Sequence, residues 1–346
     1  MEGSEEGLPA VAFGSHLDTV PEGGNFDGVV GVVAGLAAIK QLQERDKVRH
    51  PLELIIFAAE ESSRFGFSVM GSKVMTGSSD KRAWRKAKDK DGILLSEALK
   101  AQGFDLEAID SAVRTKDEFK AFVELHIEQG PVLEKDGLTI GIVEAIAAPI
   151  RIKITVEGLA SHSGTTPMNQ RQDALVSAAM IVLAVRDVAK EYSERSIVGT
   201  VGVLRVNPGA MNVIPGLVEM WVDLRGTDYE TIIEAMQEIK DSISDIAEEQ
   251  ETPVSIDVMA SDRPVLMSDD IKNIIEEVCK EKSMMYRRMP SGAGHDAMNM
   301  AKITPTGMIF IPCREGISHN GAEYAAAEDI VAGVDVLSEV IYKLAK

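Results

Sequence analysis

Cysteine is nearly absent from this chain: Cys279 and Cys313 are the two among 346 residues. Two thiols on separate segments cannot build the disulfide framework of a small secreted domain, and free thiols suit a reducing compartment. Positive charge is also scarce, with 36 Lys and Arg against 55 Asp and Glu and a net charge of −19. A surface of that sign repels a phosphate backbone and an anionic bilayer, so neither nucleic acid nor a membrane is expected as a partner. An anionic substrate would need a buried arginine or a bound cation to overcome the global field. Long hydrophobic runs are missing as well. Stretches such as residues 54–59 fall far short of the roughly 20 residues that span a bilayer. The opening Met-Glu-Gly-Ser-Glu-Glu-Gly lacks the basic and apolar segments of a signal peptide. These absences point to a cytoplasmic protein. Neither an internal repeat nor a low-complexity tract is visible.

What is present is a globular composition, 45% hydrophobic and 26% charged. The length exceeds what one compact core usually absorbs, which predicts two domains. An apolar strand over 10–14 ends at Ser15-His16; an acidic loop through Asp27 follows, then a small-residue helix from Gly28 to about Glu44. The next strand, 52–58, is continuously apolar, as a strand covered on both faces should be, and runs into Glu60-Glu61. Residues 78–118 read as a polar surface excursion with a short helix near 96–101, and a strand over 119–127 then delivers Glu124 and His126. This strand–helix–strand order predicts a mixed or parallel sheet with chemistry gathered at strand ends.

Near residue 150 the pattern changes. Residues 151–157 alternate at period two, a helix follows over 172–190, strands over 198–206 and 217–225, a strongly amphipathic helix carrying Ile232, Ile239, Ile243 and Ile246, and a strand over 254–258. That β-α-β-β-α-β order is ferredoxin-like. The expected organisation is an α/β catalytic domain, 1–149 and 259–346, interrupted by an inserted α+β domain over 150–258. Ser268 is expected to cap a helix to about Lys282; a glycine-rich segment 291–296, a strand over 308–311, a loop with His319 and a final helix over 327–344 complete the chain.

Several residues suggest metal chemistry. His16 ends a strand, and Asp18 two residues on could accept its second ring N–H; a structural histidine is the plain alternative. Asp27 could bridge two cations or simply cap the helix after it. Glu60 and Glu61 would repel each other if both were desolvated. A metal resolves that conflict if Glu61 ligates it and Glu60 takes a proton from water; a solvated loop is the other reading. His126 and His319 occupy comparable positions after or within apolar strands. A His, Asp, Glu, His, His set without thiolate suits two zinc ions, with manganese, cobalt or nickel as alternatives.

Seven segments carry a more specific signal: Gly14-Ser-His-Leu-Asp-Thr-Val-Pro21, Gly24-Asn-Phe-Asp-Gly28, Glu60-Glu-Ser-Ser-Arg-Phe65, Glu124-Leu-His-Ile-Glu-Gln-Gly-Pro131, His162-Ser-Gly-Thr-Thr-Pro-Met168, Ser291-Gly-Ala-Gly-His-Asp-Ala297 and Ile317-Ser-His-Asn320. In this order they resemble the N-carbamoyl-L-amino-acid hydrolase, β-ureidopropionase and allantoate amidohydrolase family, a branch of the aminoacylase/carboxypeptidase-type metallopeptidases. The resemblance covers essentially the whole chain. It implies a zinc-hydrolase catalytic domain with an inserted lid that also makes a homodimer. It implies two divalent ions on His16, Asp27, Glu61, His126 and His319, with Asp18 behind them and Glu60 as general base. It further implies that His162 stabilises the oxyanion, in cis or from a partner subunit. Asn212 and Arg225 would hold a substrate carboxylate, and Gln129, Gly294 and His295 would line the cleft. On its own, Arg225 reads as a surface salt bridge.

Ser62 stands where the family usually has glycine, and residues 147–151 depart from the usual hinge. Family chains normally carry several dozen residues before the first motif, so the N-terminal part of the catalytic domain is expected to be incomplete. The expected activity is hydrolysis of the carbamoyl C–N bond of an N-carbamoyl amino acid or related ureido acid. Allantoate, N-acyl amino acids and dipeptides are the alternative substrates, and a non-catalytic metal-binding protein is the alternative outside enzymes.

Overall fold

A computed structural model describes residues 1–45 and 47–346. Its strands are β1 Ala10–His16, β2 Leu52–Phe57, β3 Phe119–Ile127, β4 Ile140–Ile146, β5 Ala148–Glu157, β6 Ser161–His162, β7 Val198–Asn207, β8 Val213–Ile214, β9 Leu217–Gly226, β10 Val254–Ser261, β11 Val265–Leu266, β12 Tyr286–Ser291 and β13 Thr306–Ile311. The α-helices are α1 Val29–Gln43, α2 Met70–Met75, α3 Lys81–Trp84, α4 Leu95–Ala101, α5 Val132–Asp136, α6 Ala174–Glu191, α7 Tyr229–Glu249, α8 Asp269–Glu281, α9 Ala297–Met300 and α10 Ala327–Ala345. The chain divides into two compact units, Met1–Ile146 with Leu266–Lys346, and Ala147–Val265. The divisions fall a few residues outside the 150 and 258 read from the pattern change. Residue 150 lies inside β5, and the closing strand β10 continues past 258 to Ser261.

In the first unit a mixed seven-stranded sheet runs β11-β4-β13-β3-β1-β2, with β12 also on β4. Strand β1 is parallel to β2 and β3, and β13 is parallel to β3. Those four strands therefore end on one side of the sheet; His16 and His126 lie at those ends, Glu60 follows β2 closely, and His319 lies in the loop beyond β13. Every residue of β1 is buried, which explains the uninterrupted apolar run in a strand flanked on both sides. Helix α1 comes close to the sheet through its small residues: a Cβ at Gly31 would lie 2.2 Å from the Leu125 carbonyl oxygen. The core beneath joins Phe13, Val123, Leu125 and Ile309 with Val336, Leu337 and Ile341 of α10.

Two expectations change here. Residues 78–118 are not only a polar excursion, because Trp84, Ala87, Leu95 and Leu106 pack with Met70 into a small apolar cluster. Their irregular spacing among charged neighbours hides that cluster from a periodicity test. Ser268 stands at the N-cap of α8, but its side chain makes no capping hydrogen bond.

The second unit is a four-stranded antiparallel sheet in the order β10-β5-β9-β7 with helices α6 and α7. Numbered within this sheet, that is 4-1-3-2, the split β-α-β order of ferredoxin-like folds. Strand β9 alternates partly buried and buried residues along its whole length. Its buried side chains meet Ile232, Ile239 and Ile243 of α7, the stripe visible at helical spacing. Asp228 caps α7 by accepting the Thr231 N–H at 2.9 Å. Among the described residues no helix is long and apolar enough to cross a membrane.

Candidate metal centre

Two groups of potential ligands share one carboxylate. His16, Asp27 and His126 form a wholly buried group; Asp27, Glu61 and His319 form a second, more open one, and within each the ligand atoms lie within 4.8 Å of one another. Asp27 Oδ1 is 3.4 Å from His16 Nε2 and 3.1 Å from His126 Nε2. Its other oxygen, Oδ2, is 3.3 Å from His319 Nε2, which is itself 3.2 Å from Glu61 Oε1. Glu60 stands beside the first group without joining it, its Oε2 4.0 Å from His16 Nε2.

The donor chemistry fits a pair of divalent cations. His16 turns Nδ1 to the Asp18 carbonyl at 2.8 Å, and His126 turns Nδ1 to the Ile127 carbonyl at 2.9 Å. A neutral ring that donates from Nδ1 presents a lone pair at Nε2. The Gly28 N–H points at His126 Nε2 from 3.1 Å, so an added proton there would set two donors against each other. Lone pairs aimed at carboxylate oxygens repel unless positive charge lies between them, and nitrogen with oxygen donors is a borderline set suited to first-row divalent ions.

Protons are the polypeptide's own means of balancing the same cluster. Burial pushes the His16 imidazole down, but the hydrogen bond to Asp27 and the Glu60 charge outweigh it and raise the group to about 10. Burial would raise the Asp27 carboxyl, yet His126 and His16 hold it well below the usual carboxylate range. Glu60 is pushed up to about 9, chiefly by burial; His16 opposes this, while Asp296, Glu61 and Glu124 reinforce it. Burial likewise raises Glu61 against the pull of His319. A carboxyl kept protonated by its surroundings is suited to exchanging a proton once positive charge is nearby.

The ligands are held by a frame that sequence reasoning largely missed. Asp18 meets the His16 ring chiefly through its carbonyl, at 2.8 Å from Nδ1 against 3.9 Å for its carboxylate, and that carboxylate accepts the Glu60 and Glu61 N–H groups at 3.2 and 3.0 Å. The two-residue spacing brings the main chain closer to the imidazole than the side chain. Asp27 does not cap α1 with its side chain. Gly28 occupies the cap with φ 66°, and a Cβ there would meet the His16 ring at 2.3 Å. Glu323 is buried and accepts the Phe26 and Asp27 N–H groups at 2.9 and 3.0 Å. Ser318 Oγ lies 2.7 Å from Glu323 Oε2 and 3.1 Å from Asp27 Oδ2, so its single proton serves one carboxylate at a time. Glu124 accepts from Ser15 and from the Ala297 N–H, and Ser72 donates to Asp296. Ala59, Gln129 and His319 all hold positive φ (54°, 58° and 55°), an uncommon conformation for side-chain-bearing residues that clusters where chain segments are forced to converge. Nothing local in the sequence marked the supporting roles of Ser318, Glu323 or Ser72.

Of the residues expected in the cleft, Gln129 donates from its amide to Asp27 Oδ2 at 2.6 Å. His295 is buried, packs edge-on against His126 at 4.6 Å between centroids and lies 2.9 Å from Ser291 Oγ through Nε2; burial lowers its pKa. Gly294 precedes it with an open face, its nearest neighbour being the Met298 sulfur at 3.7 Å from a built Cβ. His162, Asn212 and Arg225 belong to the second unit. There His162 accepts the Gly164 N–H at Nδ1, the Asn212 carbonyl accepts the Ser163 N–H, and Arg225 donates to Asp223 at 2.7 Å. That last contact is the salt bridge an arginine at a strand end suggests by itself.

Comparison with known proteins gives concordant matches. The model of peptidase family M20/M25/M40 matches residues 12–343. An uncharacterized hydrolase of Haemophilus influenzae is 46% identical over 345 residues, covering 99% of this chain and 84% of that protein. A ureidoglycolate hydrolase of Oryza sativa subsp. japonica is 40% identical over 348 residues, covering 99% of this chain and 72% of that protein. An N-carbamoyl-L-amino acid amidohydrolase of Geobacillus stearothermophilus is 40% identical over 346 residues, covering 100% of this chain and 84% of that protein. Among solved structures, a hydantoinase/carbamoylase family amidase from Burkholderia multivorans aligns with TM-score 0.92 at 34% identity, covering 100% of this chain and 83% of that one. The resemblance drawn from the seven motifs agrees with these names.

Proposed function

The chain belongs to peptidase family M20/M25/M40, and from that premise we propose that it hydrolyses the carbamoyl C–N bond of an N-carbamoyl-L-amino acid or a closely related ureido acid. One observation carries the reading: two ligand groups meet at Asp27, with the buried carboxyl of Glu60 beside them but outside both. A module that only bound metal would have no use for that carboxyl.

In this proposal His16 and His126 hold one divalent ion, Glu61 and His319 a second, and Asp27 both; zinc is the first choice, manganese, cobalt or nickel the alternatives. When bound, the ions supply positive charge that polarises the ureido carbonyl and eases ionisation of water. Glu60 accepts the proton of the attacking water and passes it to the departing nitrogen. The balance is one ureido acid and water giving amino acid, carbon dioxide and ammonia. Asp18 fixes the base by holding the Glu60 and Glu61 N–H groups. On the second unit, His162 is assigned to the oxyanion and Asn212 with Arg225 to the substrate carboxylate, for which a guanidinium fork is well matched. Gln129, Gly294 and His295 are assigned to the ureido end. The second unit is further proposed as lid and homodimer contact, and the protein as cytoplasmic. The exposed Val198, Val203 and Leu204 on the sheet-edge strand β7 support a pairing surface there.

Those relatives that are named for a substrate are named for ureidoglycolate or an N-carbamoyl amino acid, which is why the ureido class leads over N-acyl amino acids. The test is ammonia or amine release by zinc-loaded protein over N-carbamoyl amino acids, ureidoglycolate, allantoate, N-acyl amino acids and dipeptides. The reading expects ureido acids to dominate in kcat/KM. Preference for N-acyl substrates would move it to aminoacylase chemistry, and two bound ions with no turnover of any compound would favour the non-catalytic alternative.

A further inference from the structure

The two ligand groups differ in how they are held. The first is sealed by burial: His16 and His126 are each about 1% exposed, and both rings are fixed through Nδ1 to nearby carbonyls. The second relies on His319, whose side chain is half exposed and whose backbone lies at φ 55° in a loop beyond β13. No hydrogen bond to the His319 ring is recorded among the described residues beyond its contacts with Asp27 and Glu61. Its position must come from its neighbours.

Those neighbours form a closed circuit. Glu323 Oε1 accepts the Phe26 and Asp27 N–H groups, so it grips the backbone that carries the shared ligand. Its Oε2 accepts the Ser318 hydroxyl at 2.7 Å, and that hydroxyl lies 3.1 Å from Asp27 Oδ2, the oxygen facing His319. The loop closes on itself where the Glu323 N–H donates to the Asn320 carbonyl at 2.9 Å. Gly24 leaves room for the carboxylate, since a Cβ there would lie 2.2 Å from Glu323 Oε1. Nothing in this circuit touches Asp27 Oδ1, which serves the first group.

We infer that Ser318, held by Glu323, is a positioning residue for the second cation: its hydroxyl sets the Asp27 Oδ2 to His319 spacing and so governs whether that ion is bound. The inference rests on the two-cation reading above. Hydrogen-bonded partners behind a ligand commonly change metal affinity by about 10–100-fold when removed.

The test is titration of chelator-stripped protein with zinc against a chromophoric competitor, comparing wild type, Ser318→Ala, Ser318→Thr and Glu323→Ala, with circular dichroism melts alongside. Ser318→Ala is expected to weaken the second equivalent about tenfold or more and leave the first within about twofold; Ser318→Thr, which keeps the hydroxyl, should restore it. Glu323→Ala, which also frees the Asp27 backbone, should weaken both equivalents, so the serine pair decides the selective role. In Ser318→Ala, unchanged affinities, equal loss of both equivalents, or loss concentrated in the first would each overturn the assignment. Wild type that binds fewer than two equivalents would instead overturn the two-cation reading, so the two failures are distinguishable.

Discussion

Glu60 illustrates how a side chain's chemistry is set by what surrounds it. Burial raises it to about 9, and His16 beside it is raised to about 10 once Asp27 and Glu60 outweigh burial. Both folded-state values lie above the unfolded ones, about 4.5 for the carboxyl and 6.5 for the imidazole. Their contribution to stability is therefore complete below those unfolded values and declines as pH rises through about 9 and 10. Chelator-treated protein should melt at progressively lower temperature as pH increases from neutrality toward 10, and zinc binding should release protons. Calorimetric titration in buffers of different ionisation heat checks the second point; melting temperatures that climb over that range would contradict the first. Asp18 makes a separate prediction. Asp18→Ala removes the acceptor for two N–H groups, so kcat should fall about 10–100-fold as Glu60 loses its fixed position. Full activity in steady-state assays would remove Asp18 from that role. The ligand types were legible in the sequence because histidine and paired glutamate at strand ends are hard to explain by packing. Ser318, Glu323 and Ser72 were not, since each acts through a hydrogen bond to a residue far away in the chain or to backbone that only the fold brings near.

Among the elements, α1 carries the tightest constraint. Its cap is Gly28 at φ 66°, pressed against the His16 ring. Gly28→Ala combines an unfavourable backbone with a collision at a ligand, so loss of zinc from the buried group is expected even if the protein folds. Elemental analysis of the purified variant checks it, and unchanged metal content would show that the ring can move aside. In the second unit, Ile239 of α7 is fully buried in the sheet–helix core. Ile239→Ala should destabilise by about 2–5 kcal/mol in denaturant unfolding. Long elements with a strict period, such as α7 and β5, could be read directly. Strand β4 was missed because Ala147 alone separates it from β5 and the exposed Glu144 interrupts its apolar residues. Strand β12 was missed because Arg287, Arg288 and Pro290 look unlike a strand, which a place at the sheet margin permits.

At the scale of the whole molecule, four parallel strands ending on one side of the sheet gather residues from positions 16 to 319 into a single centre. That convergence was inferable from strand–helix order, whereas the register that aligns β13 with β3 was not, because it depends on pairing across most of the chain. The ferredoxin-like unit is proposed as the dimer contact. Sedimentation should show a dimer at micromolar concentration, and Leu204→Glu on the exposed edge strand should shift it toward monomer; a wild-type monomer would remove that role. The most direct test of the central claim separates metal binding from proton transfer in one variant. Glu60→Gln should retain about two zinc equivalents by elemental analysis while ammonia release from the best ureido acid falls about 100–10,000-fold. Loss of zinc from Glu60→Gln, or turnover close to wild type with both ions bound, would contradict the account.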